Sequence, residues 1–385
     1  MYPDFSYILH GLFGLPPDNV FAVIKTFGLF LGFAFAASAG LAYLELKRKE
    51  SRGVLKGIEE DVLTYQPLTL KNILLQSLIQ FILFSKLIYA LQHGKEFIAD
   101  PASVIFSSKG SYGPGMFVAG IAFLYSLFKM NRQTDHTAQY QRMLIKPHER
   151  IVDITTLAAI YGLIGSKLFS ILENFESFAK DPIGEFFSGS GLTIYGGLIL
   201  AFIMVYRYVQ SKGMKPLHVM DAVAPALMIG YCVGRMGCHL SGDGDWGIVN
   251  EMVKPGWFIF PDSWWINHYP HNVLKEGLQL ENCSWEYCKQ LVPGVFPTPL
   301  YEVILAGLIT GFLWILRVRI HRAGVLFFTY CLLNGLERFF IEFIRVNPRY
   351  HFFGFDLSQA QFIALGLVLT GIVGILYYWK KNIPN

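Results

Sequence analysis

The chain has 385 residues, of which 53% are hydrophobic and only 16% charged, with a formal net charge of +4. Soluble domains average about 25% charged residues, so this composition excludes an ordinary soluble enzyme, and the lack of a basic tract or zinc-ligand pattern argues against nucleic acid as a partner. The apolar runs are long and do not alternate, which selects helices over a barrel: the expected fold is all-α, a polytopic transmembrane bundle with the lipid bilayer as its surroundings.

In chain order, residues 1–19 contain no Lys or Arg. A cleaved signal peptide starts with a basic region, so this start reads as an N-terminus left outside, and the first span as an anchor. Nine apolar segments are drawn as spans, at 20–44, 68–90, 115–130, 151–172, 192–209, 217–240, 299–316, 323–343 and 358–379. The third is short unless it begins before Pro114. Basic residues alternate from one connecting loop to the next. The loops after the first, third, fifth and seventh spans, with the C-terminal end, hold 18, against 8 in the opposite set. The positive-inside rule then places the N-terminus out and the C-terminus in. The largest outer loop, about 241–298, holds five of the seven Trp and reads as an arm or cap along the outer membrane face. Of the five cysteines, Cys232, Cys238 and Cys331 lie in or beside spans. Cys283 and Cys288 lie in the outer loop, where an oxidising compartment permits a bridge, and their spacing leaves it open whether one forms. Cys238 and His239 lack paired ligands at metal spacing, so no metal is expected. Cys238 reads as a small core residue rather than a catalytic thiol.

Four groups of residues have chemical potential. The first is Gly234-Arg235-Met236-Gly237 followed by Gly242, Asp243 and Asp245. Ionisable groups at membrane depth are costly and usually line a cavity or substrate path. Arg235 alone reads as a side chain snorkelling to the interface, but the glycines, which let irregular backbone approach a ligand, shift the reading to a polar site. The second is Glu337, Arg338, Glu342 and Arg345. The last three are spaced by four and three, forming one helical stripe that is either an ion-pair staple or an anion site. Two arginines from different helices suit a phosphate, which guanidinium holds by forked hydrogen bonds. The third is Pro297-Thr298-Pro299-Leu300-Tyr301-Glu302, where proline sets the entry into a span. Here Tyr301 suits an interface anchor, and Glu302 pairing with an arginine. The fourth is Gly191-Leu192-Thr193-Ile194-Tyr195-Gly196-Gly197-Leu198-Ile199, in which Gly196 and Gly197 allow close helix approach and Tyr195 offers a hydroxyl.

On these residues the chain resembles the prolipoprotein diacylglyceryl transferases. Gly234-Arg235-Met236-Gly237 matches the start of the family pattern G-R-x-G-N-F-x-N-G-E-x-x-G, and Gly242-Asp243 resembles its Gly-Glu pair, with one extra residue before Trp246-Gly247. Pro297 to Glu302 resembles H-P-x-Q-L-Y-E, and Arg338, Glu342 and Arg345 match R-x-x-x-E-x-x-R. Tyr195 to Ile199 resembles H-G-G-L-I, and Asp221-Ala222-Val223-Ala224-Pro225 resembles D-x-x-A-P. The chain departs from the family in several places. Tyr195 stands for the histidine, and Cys238-His239 for Asn-Phe. Ser241 stands for the second asparagine, Asp243 for Glu, and Phe296 and Pro299 for His and Gln. Lys167 stands where the family's second span carries arginine.

The resemblance implies transfer of the diacylglyceryl group of phosphatidylglycerol to the lipobox cysteine of a prolipoprotein signal peptide, giving a thioether and releasing glycerol 1-phosphate. It implies no cofactor, and a location in the bacterial cytoplasmic (inner) membrane. The implied catalytic residues are Arg235, Arg338, Asp243, Tyr195 and His239. Those implied to bind substrate are Glu342, Arg345, Tyr301, Glu302, Gly196, Gly197, Gly234, Gly237 and Gly242. Arg235 and Arg338 are expected to hold the phosphate, Asp243 to orient Arg235 or the headgroup, and Glu342 to keep Arg338 in register. A tyrosine with a pKa near 10 is a poor base for the thiol, which leaves His239 as the replacement or an arginine-assisted thiolate with no side-chain base. The implied map is one membrane domain over 1–385. It comprises a first span at 20–53, an inserted pair of spans at 54–130, a family-like core at 151–379 and a periplasmic arm or cap at 241–298. Because the histidine and asparagine positions are changed, the competing reading is a non-catalytic lipid-binding protein or transporter on the same scaffold.

Overall fold

The computed structural model describes residues 1–385 apart from 100–103, 106, 134–136, 188–192, 353–354 and 382–385, so Gly191 and Leu192 of the fourth group lie outside the described residues. The main helices are α1 (Phe5–Phe13), α2 (Thr26–Ser51), α3 (Leu70–Gln92), α4 (Tyr112–Arg132), α5 (Ile151–Glu173), α6 (Ile194–Ser211), α7 (Pro216–Ser241), α8 (Thr298–Leu316), α9 (Val325–Ile341) and α10 (Gln359–Lys380). Each of the nine apolar segments overlaps one of these helices, and the third does begin before Pro114, at Tyr112. Strands occur only as two-stranded antiparallel pairs among the described residues, so the fold is helical throughout its membrane part.

Seven helices among the described residues are long and apolar enough to cross a membrane, one of them being the continuous run Pro147–Glu173. The other two, α6 and α9, have 18 and 17 residues. At a rise of 1.5 Å per residue they run about 25–27 Å, the short end of what crosses a hydrocarbon core, and α9 also carries Glu337 and Arg338.

The chain divides into two compact units. One comprises Met1–Lys56, Pro147–Thr155 and Tyr208–Asn385. Its centre is a cluster of Ala224, Met228, Ala306, Leu313 and Leu326, in which α7, α8 and α9 meet. Small residues bring helices close. A Cβ on Gly237 of α7 would sit 2.7 Å from Phe30 Cβ of α2, and one on Gly335 of α9 would sit 2.8 Å from the Ala364 carbonyl of α10. Asp221 of α7 accepts from the Gly324 and Phe327 amides at 2.8 and 2.9 Å. It thereby supplies a carboxylate cap to the start of α9, whose own N-cap, Gly324, has no side chain to offer. Near the other end of α8, Glu45 of α2 is fully buried and accepts from Arg48 at 2.8 Å and Arg317 at 2.6 Å.

The second unit comprises Gly57–Lys146 and Thr156–Arg207. Within it, strands β1 (Ile58–Tyr65) and β2 (Gln139–Ile145) pair antiparallel, from Ile58 opposite Ile145 to Tyr65 opposite Gln139. They bracket α3 and α4 in the sequence. Gly196 and Gly197 of α6 pack directly onto Gly162, Gly165, Ser166 and Phe169 of α5.

The long loop 242–297 belongs to the first unit and has its own small core of Trp246, Tyr269, Leu291 and Val295. Gly242 ends α7 in the left-handed region, φ 63°, with its amide donating to the Cys238 carbonyl at 3.0 Å. Cys283 and Cys288 are bridged, with their Cα atoms 5.6 Å apart, which answers the question their spacing left open.

Candidate active site

Four chain segments of the first unit bring charge to one place. Tyr231 and Arg235 are four residues apart on α7 and so share a face. Glu302 lies in the first turns of α8, which starts at Thr298 after Pro297. The Thr298 hydroxyl donates to the Asp245 carbonyl at 2.7 Å, tying the α8 entry to the loop that leaves α7. Arg338 sits near the C-terminal end of α9, and Arg345 follows a single 3-10 turn, Glu342–Ile344. Backbone pairing of Gly247 with Arg345 holds the loop against that segment. A Cβ on Gly247 would sit 2.9 Å from Phe296 Cβ and collide with the Ile344 carbonyl, so the approach needs glycine.

Glu302 is the hub. It is 0% exposed and accepts from Arg235 Nε, from the Tyr231 hydroxyl at 3.0 Å, from Arg345 Nη1 at 3.1 Å and from Arg338 Nη1 at 3.4 Å. Asp245 forms a second bridge, accepting from Arg235 Nη1 and Arg345 Nη2. Glu342 forms a third, 3.2 Å from Arg338 Nη2 and 3.9 Å from Arg345 Nε, and it also accepts from Ser358 Oγ at 2.8 Å and from Asn347. Burial alone would raise the Asp245 carboxyl, but the guanidiniums of Arg235 and Arg345 outweigh it and bring it down to about 2. Two features leave room for an anion. Arg235 Nη2 is buried without a partner, and Arg338 is the most exposed arginine of the three, held by the longest hydrogen bond to Glu302.

Other residues singled out in the sequence lie differently. Asp243 makes no ion pair with Arg235 among the described residues: Arg235 is bound to Glu302 and to Asp245, two residues on, while Asp243 accepts from the Asp245 amide at 3.4 Å. Burial and the neighbouring Asp245 charge raise the Asp243 carboxyl above the usual range. His239 Nδ1 lies 3.2 Å from the Tyr269 hydroxyl, in the core of the long loop. The Tyr301 hydroxyl donates to the Trp264 carbonyl at 2.7 Å, so it anchors that loop. Gly237 packs on α2 and Gly242 ends α7, whereas a Cβ on Gly234 would meet nothing within 4 Å. Tyr195, Gly196 and Gly197 belong to the second unit. Cys238, Asp243 and Asp245 place ligand atoms within 4.8 Å of one another. The Arg235 guanidinium is bound to Asp245 and lies 3.7 Å from Cys238 Sγ, a fixed positive charge that suits this donor set to ion pairing rather than to a metal. The sequence reading passed over Tyr231, whose signal was its spacing of four from Arg235. It also passed over Ser358 and Asn347, which had no signal because their partner Glu342 is reached only through the fold.

The family model for prolipoprotein diacylglyceryl transferase matches residues 110–377. The chain is 30% identical over 252 residues to the phosphatidylglycerol–prolipoprotein diacylglyceryl transferase of Lysinibacillus sphaericus, a match covering 63% of this chain and 83% of the relative. It is 26% identical over 237 residues to the enzyme of the same name from Dehalococcoides mccartyi, covering 61% and 79%. With that from Staphylococcus haemolyticus the identity is 25% over 241 residues, covering 62% and 76%. Helices apolar enough to cross a membrane, an arginine–carboxylate cluster in the region matched by the family model and these similarities agree: the chain is a multi-pass membrane protein belonging to the prolipoprotein diacylglyceryl transferase family of transferases.

Proposed function

We propose that this chain transfers the diacylglyceryl group of phosphatidylglycerol to the lipobox cysteine thiol of exported prolipoproteins, in the bacterial cytoplasmic (inner) membrane. The observation that supports this most is the convergence of Arg235, Arg338 and Arg345 on Glu302. In this reading a new bond forms between the thiol sulfur and the glyceryl carbon, and the bond from that carbon to the phosphate oxygen breaks. The product is a thioether, and glycerol 1-phosphate leaves with the extra negative charge. Guanidiniums already fixed around Glu302 and Asp245 stabilise that charge without reorganising during the reaction. Arg338 and the free Nη2 of Arg235 take the phosphate oxygens, and Arg345 holds Asp245 and Glu302 in place. The thiol attacks as thiolate, and His239, whose imidazole ordinarily titrates near 6.5, is assigned its proton. Tyr195 is assigned a catalytic role, Gly196 and Gly197 substrate binding, and Asp243 the orientation of Arg235 or the headgroup. The alternation of basic loops supports an N-terminus outside, which puts the cluster toward the face where an exported cysteine arrives. Residues 54–130 are read as an inserted pair of helices.

Complementation of a strain depleted of its own prolipoprotein diacylglyceryl transferase tests this. The wild-type chain is expected to restore growth and thioether-lipidated precursors, and Arg338→Ala is expected to abolish both at equal membrane abundance. Failure of a well-expressed, inserted wild-type chain would overturn the proposal.

A further inference from the structure

Glu337 is a buried carboxylate of this cluster's surroundings that the mechanism leaves unused. It immediately precedes Arg338 on α9 and is 6% exposed, and neither of its oxygens has a hydrogen-bond partner among the described residues. Buried carboxylates are almost always partnered, so an orphan beside the arginine–carboxylate cluster calls for a reason. The charges acting on it are Arg338 on its own helix, Arg235 on α7 and Arg345 beyond the end of α9. The Tyr231 hydroxyl on α7 is a further polar neighbour. From α8 comes Glu302, bound to the same three arginines. The only charged residue of α10 is Lys380, in its last turn.

The charge balance is informative. The three arginines are in contact with three carboxylates, Glu302, Glu342 and Asp245. That set of six is neutral, and an ionised Glu337 adds a negative charge beside it. A phosphodiester headgroup arrives as an anion, and a like charge placed close by in a dry site is strongly unfavourable to it.

We propose that Glu337 is a proton-controlled gate on anionic lipid binding. With a proton, it leaves the arginine cluster neutral and open to the phosphodiester of the lipid. Without one, it acts as an internal anion, taking the favourable field of Arg338 and Arg235 for itself and excluding the headgroup. This rests on the reading of the cluster as a lipid phosphate site, but it concerns binding and does not require turnover.

The test uses the purified full-length protein in mixed micelles containing either phosphatidylglycerol or zwitterionic phosphatidylethanolamine. Binding is followed by tryptophan fluorescence and by the lipid-dependent rise in melting temperature, from mildly acidic to mildly alkaline pH. Wild-type affinity for phosphatidylglycerol is expected to fall with rising pH, approaching about tenfold per pH unit once the single proton is lost. Glu337→Gln keeps the shape and cannot ionise, so it is expected to retain the acidic-pH affinity throughout. Asp243 and His239 remain in both proteins, so any slope left in the variant belongs to them. A flat wild-type profile overturns the gate whether or not the variant folds. So does a variant slope equal to that of the wild type, or no preference for phosphatidylglycerol at acidic pH. A protein that shows the gated binding but no transfer upholds the gate and removes the transferase reading. Transfer together with flat binding does the reverse.

Discussion

Asp243 and Asp245 are the same residue type, two positions apart, yet their surroundings push their carboxyls in opposite directions. Asp245 bridges two guanidiniums, so its removal leaves Arg235 and Arg345 short of a charged partner. Asp245→Asn is expected to cost about 1–3 kcal/mol and to lower the melting temperature of the purified protein more than Asp243→Asn does. The pH dependence has a definite sign. The folded value, about 2, lies below the ordinary 3.8. The stabilisation is therefore complete above the ordinary value and disappears as pH falls through the folded one. The stability gap between wild type and Asp245→Asn is expected to close on acidification across that window. A gap of constant size there would show that Asp245 is not the group responsible. At this scale the sequence was informative about types and only partly about partners. Arg235, Arg338, Arg345 and Glu302 were legible as charges that a membrane span does not tolerate without a reason. Which aspartate meets Arg235 depends on how the backbone turns between Gly242 and Trp246, and residue order does not reveal that.

Helices were the most legible elements, because each apolar run needs internal hydrogen bonding wherever water is absent. Their bounds were less so: the apolar run drawn over 323–343 is helical from Val325 to Ile341 and closes in a 3-10 turn. The pairing of β1 with β2 was not legible at all, since the partners lie some 80 residues apart and the strands are largely exposed. Asp221 shows how a motif without evident chemistry can act through an element. It caps the start of α9, and α9 carries Arg338 near its other end. Asp221→Ala is expected to lower stability by about 0.5–2 kcal/mol and to weaken the use of anionic lipid, with Asp221→Asn recovering most of both. Melting curves and lipid titrations on the two variants check this. Equal damage from Ala and Asn would point to the charge, 4.0 Å from Lys49, rather than to the cap.

For the whole molecule, the proposed orientation makes a prediction that side-chain geometry does not enter. Trp257 is 74% exposed in the long loop, and Lys381 follows the last helix. A cysteine placed at 257 is expected to react with a membrane-impermeant reagent in intact spheroplasts, and one at 381 only after permeabilisation; the reverse pattern would invert the topology. One further consequence follows from the pairing of Ile58–Tyr65 with Gln139–Ile145. The chain leaves the first unit at Lys56 and rejoins it at Pro147, and within that unit Glu50 and His148 already touch. A stretch whose two ends are zipped together closes its own loop, so the chain on either side of it meets at a cost set by the neck rather than by the length of the excursion.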